Sequence, residues 1–283
     1  MKSTLISFFT VILLSNFLSS SNAKALEDFE ILRKIIDWSD NESWQRVDVA
    51  RGTLVKEESR AITDWLRLRG EQGTFDECIK FLKIYFDWPG LKLLRKRCEQ
   101  NIPRGGAPEK VIKYFSMQKP QTGTGSLRYA EALIKSGRSF EASQEIKRTW
   151  KDFDLDEEEH NAYVERNSLT IKNLHYLRMD SMLWQGFTES ASRMLPLVDK
   201  NWQALARARI ALRKNRPRVN YFINLVPKEI SNDPGLAYER FLWRLRNGHW
   251  NGAIEIIIER SASEKILGQP LAWADWRRVL ARE

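Results

Sequence analysis

The chain is poor in the residues from which most metal and redox centres are built. It has two cysteines, Cys78 and Cys98, and three histidines, His160, His175 and His249, all far apart in sequence. No pair has metal-ligand spacing, so neither a metal site nor a cofactor is expected. The glycine-rich stretch Gly123-Thr124-Gly125-Ser126 lacks the Gly-Lys-Ser/Thr of a phosphate loop. A helix start there can cradle an anion, but a plain loop with Ser126 as the following cap suits it better. Strand signals are missing as well: there is no sustained period-two alternation from which an Asn-Gly or Asp-Gly hairpin could be built. Nor is any apolar run long enough to cross a bilayer comfortably, which takes about 20 residues, so no stable membrane insertion is expected.

The longest apolar run, Leu5 to Leu18, follows Met1-Lys2 and is broken by Ser, Thr and Asn. Small residues come next, in Ser21-Asn22-Ala23 and Ala23-Lys24-Ala25. This is the pattern of a secretory signal peptide over residues 1–25; a retained anchor is the alternative. No cysteine follows the run, which argues against a lipoprotein. The expected location is the periplasm of a Gram-negative cell. Removing residues 1–23 takes away only Lys2, so the formal charge of +9 becomes +8. An exported basic chain is a poor candidate for nucleic acid and a better one for an acidic surface.

Residues 26–283 read as helix throughout. Phe75, Ile79, Leu82 and Phe86 recur at helical spacing, Asp87-Trp88-Pro89-Gly90 stops that helix, and Leu91, Leu94 and Cys98 open a second apolar face. Pro108 and Pro234 sit at helix starts, where a missing N–H does no harm, and Asp233 is a suitable N-cap for the second. A degenerate repeat runs through the chain. Gly73, Gly137, Gly186 and Gly248 are each followed five residues later by a small residue, Cys78, Ala142, Ala191 or Ala253. Nine residues after each glycine comes an apolar one: Leu82, Ile146, Leu195 or Ile257. Glycine allows the left-handed turn that ends one helix, and the small residue lets the next approach closely. Such hairpins cannot bury their faces alone, so they stack. The expected fold is all-α: a tetratricopeptide-like superhelix of stacked antiparallel hairpins, an α-solenoid.

The segment Ile62 to Pro103, with Trp65-Leu66-Arg67-Leu68-Arg69, Asp87-Trp88-Pro89-Gly90 and Leu93-Leu94-Arg95, resembles the superhelical domain of soluble lytic murein transglycosylases. The likeness continues through Pro108–Phe115, Ala130–Leu133, Leu205–Leu212, Pro234–Arg240 and Trp273–Arg278, in the family's order. It implies a role in peptidoglycan binding and turnover. Family members carry a lysozyme-like catalytic domain after the superhelix, with its acid in a Glu-Ser motif. The chain offers only Glu42-Ser43, Glu58-Ser59 and Glu189-Ser190, none followed by the family's Gly-Leu-Met-Gln-type segment. The expectation is therefore an incomplete superhelical arm with the catalytic domain absent and no activity by itself, partnered by peptidoglycan or by a catalytic transglycosylase domain. A periplasmic protein-interaction solenoid, or the product of a decayed or split gene, are the alternatives.

Basic residues cluster around Arg95 and Arg97, around Arg209 and Arg213, and at Arg240, Arg244 and Arg246. If they share an inner wall, Arg95, Arg97, Arg209, Arg213 and Arg244 make a positive groove for an anionic polymer; if they alternate between walls, they are solubility residues. The 11 tryptophans suggest sugar stacking, but their helix-face positions favour core packing for most. The acidic run Asp152 to Glu159 reads as an exposed loop and first helical turn, where carboxylates suit the dipole. Cys78 and Cys98 each lie ten residues from Trp88, so an antiparallel hairpin sets them at one height. They are either a disulfide, closing a loop of about 20 residues, or a pair of apolar core thiols. In both cases their Cα atoms should lie within about 12 Å, since packed helix axes are only 8–10 Å apart. The last stretch, with Leu271, Trp273, Trp276 and Leu280, is expected to fray for want of a neighbour.

Overall fold

A computed structural model describes residues 27–280; the expected signal peptide lies outside them. Among the described residues the chain is all-α, with helices joined by short turns and no strand. It divides into two compact units, one up to Ser136 and one from Gly137.

The first unit holds α1 (residues 27–40), α2 (Trp44–Thr53), α3 (Glu57–Arg69), α4 (Phe75–Ile84), α5 (Leu91–Cys98), α6 (Pro108–Phe115) and α7 (Gly123–Lys135). Its centre is the cluster of Leu68, Cys78, Phe81, Leu82, Leu94 and Cys98, contributed by α3, α4 and α5. Thr74 starts α4 with a capping box, its side chain accepting from the Glu77 amide while the Glu77 carboxylate accepts from the Thr74 amide. The helix ends at Ile84, so Phe86 lies beyond it and is 75% exposed rather than on the buried face. Pro89 and a left-handed Gly90 then lead into α5. Cys78 and Cys98 are joined by a disulfide bond, with Cα atoms 6.0 Å apart.

The glycine-rich segment differs from the expected loop. It is the first turn of α7, capped by the Thr122 side chain, and Ser126 is buried inside the helix. An anion does sit at this helix start, and it is the chain's own. The buried Glu99 carboxylate accepts from the amides of Gln121 (2.9 Å) and Thr122 (2.8 Å) and from the Thr122 hydroxyl (2.6 Å). Gly125 leaves the room: a methyl group there would run into Glu99.

The second unit holds α8 (Ser139–Asp152), α9 (Glu157–Ile171), α10 (His175–Gln185), α11 (Thr188–Arg193), α12 (Lys200–Arg213), α13 (Val219–Asn224), α14 (Pro234–Arg246), α15 (Trp250–Arg260), α16 (Glu264–Leu267) and α17 (Pro270–Leu280). Asp156 caps α9 by accepting from the Glu159 amide, and Asp233 caps α14 by accepting from the Leu236 amide. Gly186 and Gly248 turn the pairs α10–α11 and α14–α15 with positive φ, as Gly73 does for α3–α4. Ala191 and Ala253, five residues on, are fully buried. The fourth repeat glycine, Gly137, also has positive φ and opens the second unit. Leu195 departs from the repeat because Pro196 turns the chain into a short 3-10 segment after α11. The end of the chain packs rather than standing bare. Trp273 is fully buried with Phe241 and Ile257, while Trp276 and Leu280 pack against the same cluster; Leu271 alone of that group is exposed, at 90%.

Candidate functional site

Side chains of the clustered arginines divide between interior and surface. In the first unit Arg97 pairs with Glu71 at 2.5 Å, and the Arg95 carbonyl accepts from the Tyr114 hydroxyl at 3.0 Å. In the second unit Arg209 is buried. Its Nη1 lies 2.6 Å from Asp180 and 3.5 Å from Asp233, and its guanidinium sits 5.4 Å from the Trp184 ring centre. Arg213 donates from Nε to Glu239 at 2.8 Å, and that carboxylate is buried. Arg209 and Arg213 therefore tie α10, α12 and α14 together, so two guanidinium groups of the expected basic groove are paired with acids. Gly235 lets Arg209 lie flat against α14, where a methyl group would collide with the guanidinium.

The deepest charge of the second unit is Arg178. Its guanidinium lies 4.5 Å from the Trp150 ring centre and donates to the Trp150 and Phe153 carbonyls. Burial, and then the neighbouring Arg193 charge, bring its pKa down to about 10. His160 and His175, distant in sequence, meet on the same tryptophan, with ring centres 5.2 and 5.7 Å from it. Burial, then Arg178, Arg193 and His175, push His160 down to about 4. No group of three or more metal-ligating side chains occurs among the described residues.

Among the described residues, two hollows are lined by three arginines each. The first unit has a cleft of about 260 Å³ beside α3 and α4. Its charged wall is largely self-paired: Arg51 Nη2 is 2.7 Å from Asp64, and Arg67 reaches Asp48, Asp64 and Glu77. Hydrogen bonding to Asp64 holds the Arg51 guanidinium above its usual pKa.

The second hollow lies on the α14–α15 hairpin and is where Arg244, among the expected residues, is found. Arg240 and Arg244 are four residues apart and so share a helix face. Arg260 joins them from α15, and the three line a space of about 190 Å³ with Glu255 and Glu259 at its edge. Arg240 is half-buried and makes no hydrogen bond or ion pair among the described residues. Its pKa is lowered by burial and then by the charges of Arg244 and Arg260. Arg260 is 8% exposed; it holds Asn232 with its two terminal nitrogens while its Nε finds no partner. Arg244 bonds the Gly252 carbonyl and stands 4.0 Å from Glu255. Arg244 and Glu255 also line a neighbouring hollow with His249, Trp250 and Asn251. Trp250 is 46% exposed, while the other tryptophans are buried or half-buried. Arg240 was visible in sequence through its spacing from Arg244. Arg260 was not, because only the turn at Gly248 brings it alongside.

The glutamates of the three Glu-Ser pairs lie on the surface, while Ser59 and Ser190 are buried. Glu42 is in a turn with positive φ, Glu58 is exposed on α3, and Glu189 bonds Lys214. That bond holds the Glu189 carboxyl below its usual range, the opposite of the raised value a general acid needs near neutral pH. No known protein family, characterised protein or solved structure matches the chain.

Proposed function

We propose that this chain is a non-catalytic helical arm of a soluble lytic transglycosylase-like protein, which holds peptidoglycan in the periplasm. The observation that carries this is the glycine-turned hairpin. Gly73, Gly186 and Gly248 each join two packed helices, with a buried small residue five positions on. The ordered segments that resemble the transglycosylase superhelix run through the same elements. The basic balance of 46 Lys and Arg against 37 Asp and Glu suits a polymer whose stem peptides bear carboxylates. Catalysis is not assigned to the arm: its Glu-Ser glutamates are all exposed, and Lys214 holds the Glu189 carboxyl below its usual range.

The test is co-sedimentation of the purified chain with sacculi, followed by analysis of the supernatant for released muropeptides. Binding that weakens as salt rises, without anhydromuramyl products, is expected. Release of those products would overturn the non-catalytic assignment. Absence of binding, together with retention of a defined periplasmic protein, would replace the proposal with a protein-interaction role.

A further inference from the structure

The α14–α15 groove gathers positive charge that the fold does not fully neutralise. Three guanidinium groups, from Arg240, Arg244 and Arg260, line one small hollow. Bringing like charges together is unfavourable unless something opposes them. Elsewhere in this unit the fold does oppose them: Arg209 has Asp180 and Asp233, and Arg213 has Glu239. Here Arg240 makes no hydrogen bond or ion pair among the described residues. The acids at the rim offset the cluster only in part: Glu255 is 78% exposed and pairs only with Arg244, at 4.0 Å, and Glu259 acts on Arg240 without forming an ion pair. Gly252 is what allows Arg244 to lie over the start of α15, where a methyl group would fall 2.7 Å from its Nη1.

A second hollow shares Arg244 and Glu255 with the first and is lined by Trp250, with Asn251 and His249 as polar neighbours. An exposed aromatic face beside amide and imidazole groups suits a ring that is apolar on one side and hydroxylated at its edge. Planar guanidinium groups suit a carboxylate or a phosphate.

We propose that the α14–α15 groove binds an acidic saccharide, with its oxyanion held by Arg240 and Arg244 and its sugar ring laid against Trp250. This deepens the murein proposal and rests on it only for the biological source, since any pyranose bearing a carboxylate or phosphate presents the same groups. Arg240 supplies the free donors, and Arg244 reaches the anion from the side of the ring.

The test is titration calorimetry of the full chain with three probes: N-acetylmuramic acid, glucose 6-phosphate and N-acetylglucosamine. The expected result is that at least one acidic sugar binds ten-fold or more tighter than N-acetylglucosamine, and which one binds separates a carboxylate source from a phosphate source. Arg240→Gln should weaken that binding at least ten-fold with an unchanged circular dichroism spectrum. Trp250→Ala should weaken it several-fold but leave inorganic phosphate binding as it was. Equal binding of all three sugars, or no binding of any, would overturn the proposal. So would phosphate binding as tightly as the acidic sugars, because the ring would then contribute nothing. Sacculi that still bind while the acidic sugars do not would sink the groove assignment and leave the murein proposal standing; the reverse pattern would do the opposite.

Discussion

Arg178 and His160 share one tryptophan and respond to the interior in the same direction, each pressed toward its neutral form. For His160 the consequence is measurable. Its folded pKa of about 4 lies below the 6.5 of the free side chain, so the unfolded chain takes up the proton first as pH falls. The second unit therefore keeps the full contribution above about pH 6.5 and loses it progressively toward about pH 4. Urea midpoints should fall between about pH 7 and about pH 4.5, and His160→Phe should flatten that fall. Identical slopes for the two proteins would remove His160 as the cause. None of this was legible in sequence, where His160 and His175 are simply two distant histidines. The same is true of Arg209. Its acids, Asp180 and Asp233, are 29 and 24 residues away, so a run of arginines on α12 gave no sign that one of them points inward.

Helices and their turns were far more readable, because a turn is a local event. The left-handed glycines, the proline starts and the Asp233 cap all depend on residues within a few positions of each other. What went astray depends on distant chain. The sequence points to Ser126 as the start of α7, yet the helix begins at Gly123, where Glu99 comes from the 3-10 turn after α5 to meet the amides of Gln121 and Thr122 just ahead of it. Hydrogen bonds to a charged acceptor are worth about 1.5–3 kcal/mol each, and removing the charge while keeping the shape loses part of that. Glu99→Gln should therefore cost the first unit about 2 kcal/mol in denaturant unfolding. A change below about 0.5 kcal/mol, the range of ordinary surface substitutions, would show that α7 does not need this anion. The end of the chain teaches a related lesson. Trp273, Trp276 and Leu280 read as an apolar face without a neighbour, but α17 turns back onto the α14–α15 core after Gly268.

At the scale of the molecule, helical content followed from composition and periodicity, whereas the division at Ser136 and Gly137 did not: the repeat glycines run straight through it. Two compact units need not melt as one. The crosslink between Cys78 and Cys98 belongs wholly to the first. Removing it, with Cys78→Ala and Cys98→Ala together, should lower the stability of that unit by about 3 kcal/mol on the chain-entropy account. The His160-reporting transition of the second unit should stay where it was. Equal displacement of both transitions would mean that the units unfold as a single body.

The same bond also sets how far the chain can be stretched. Its anchor points are 6.0 Å apart and 20 positions apart in sequence. An extended chain spans about 3.3–3.6 Å per residue, so roughly 60 Å of contour stays locked in a loop that tension applied at the termini never reaches. Pulled in an optical trap, the oxidised protein should come out shorter than the reduced one by that length. The turn at Trp88 and both flanking segments would bear no load while the rest of the chain is drawn straight.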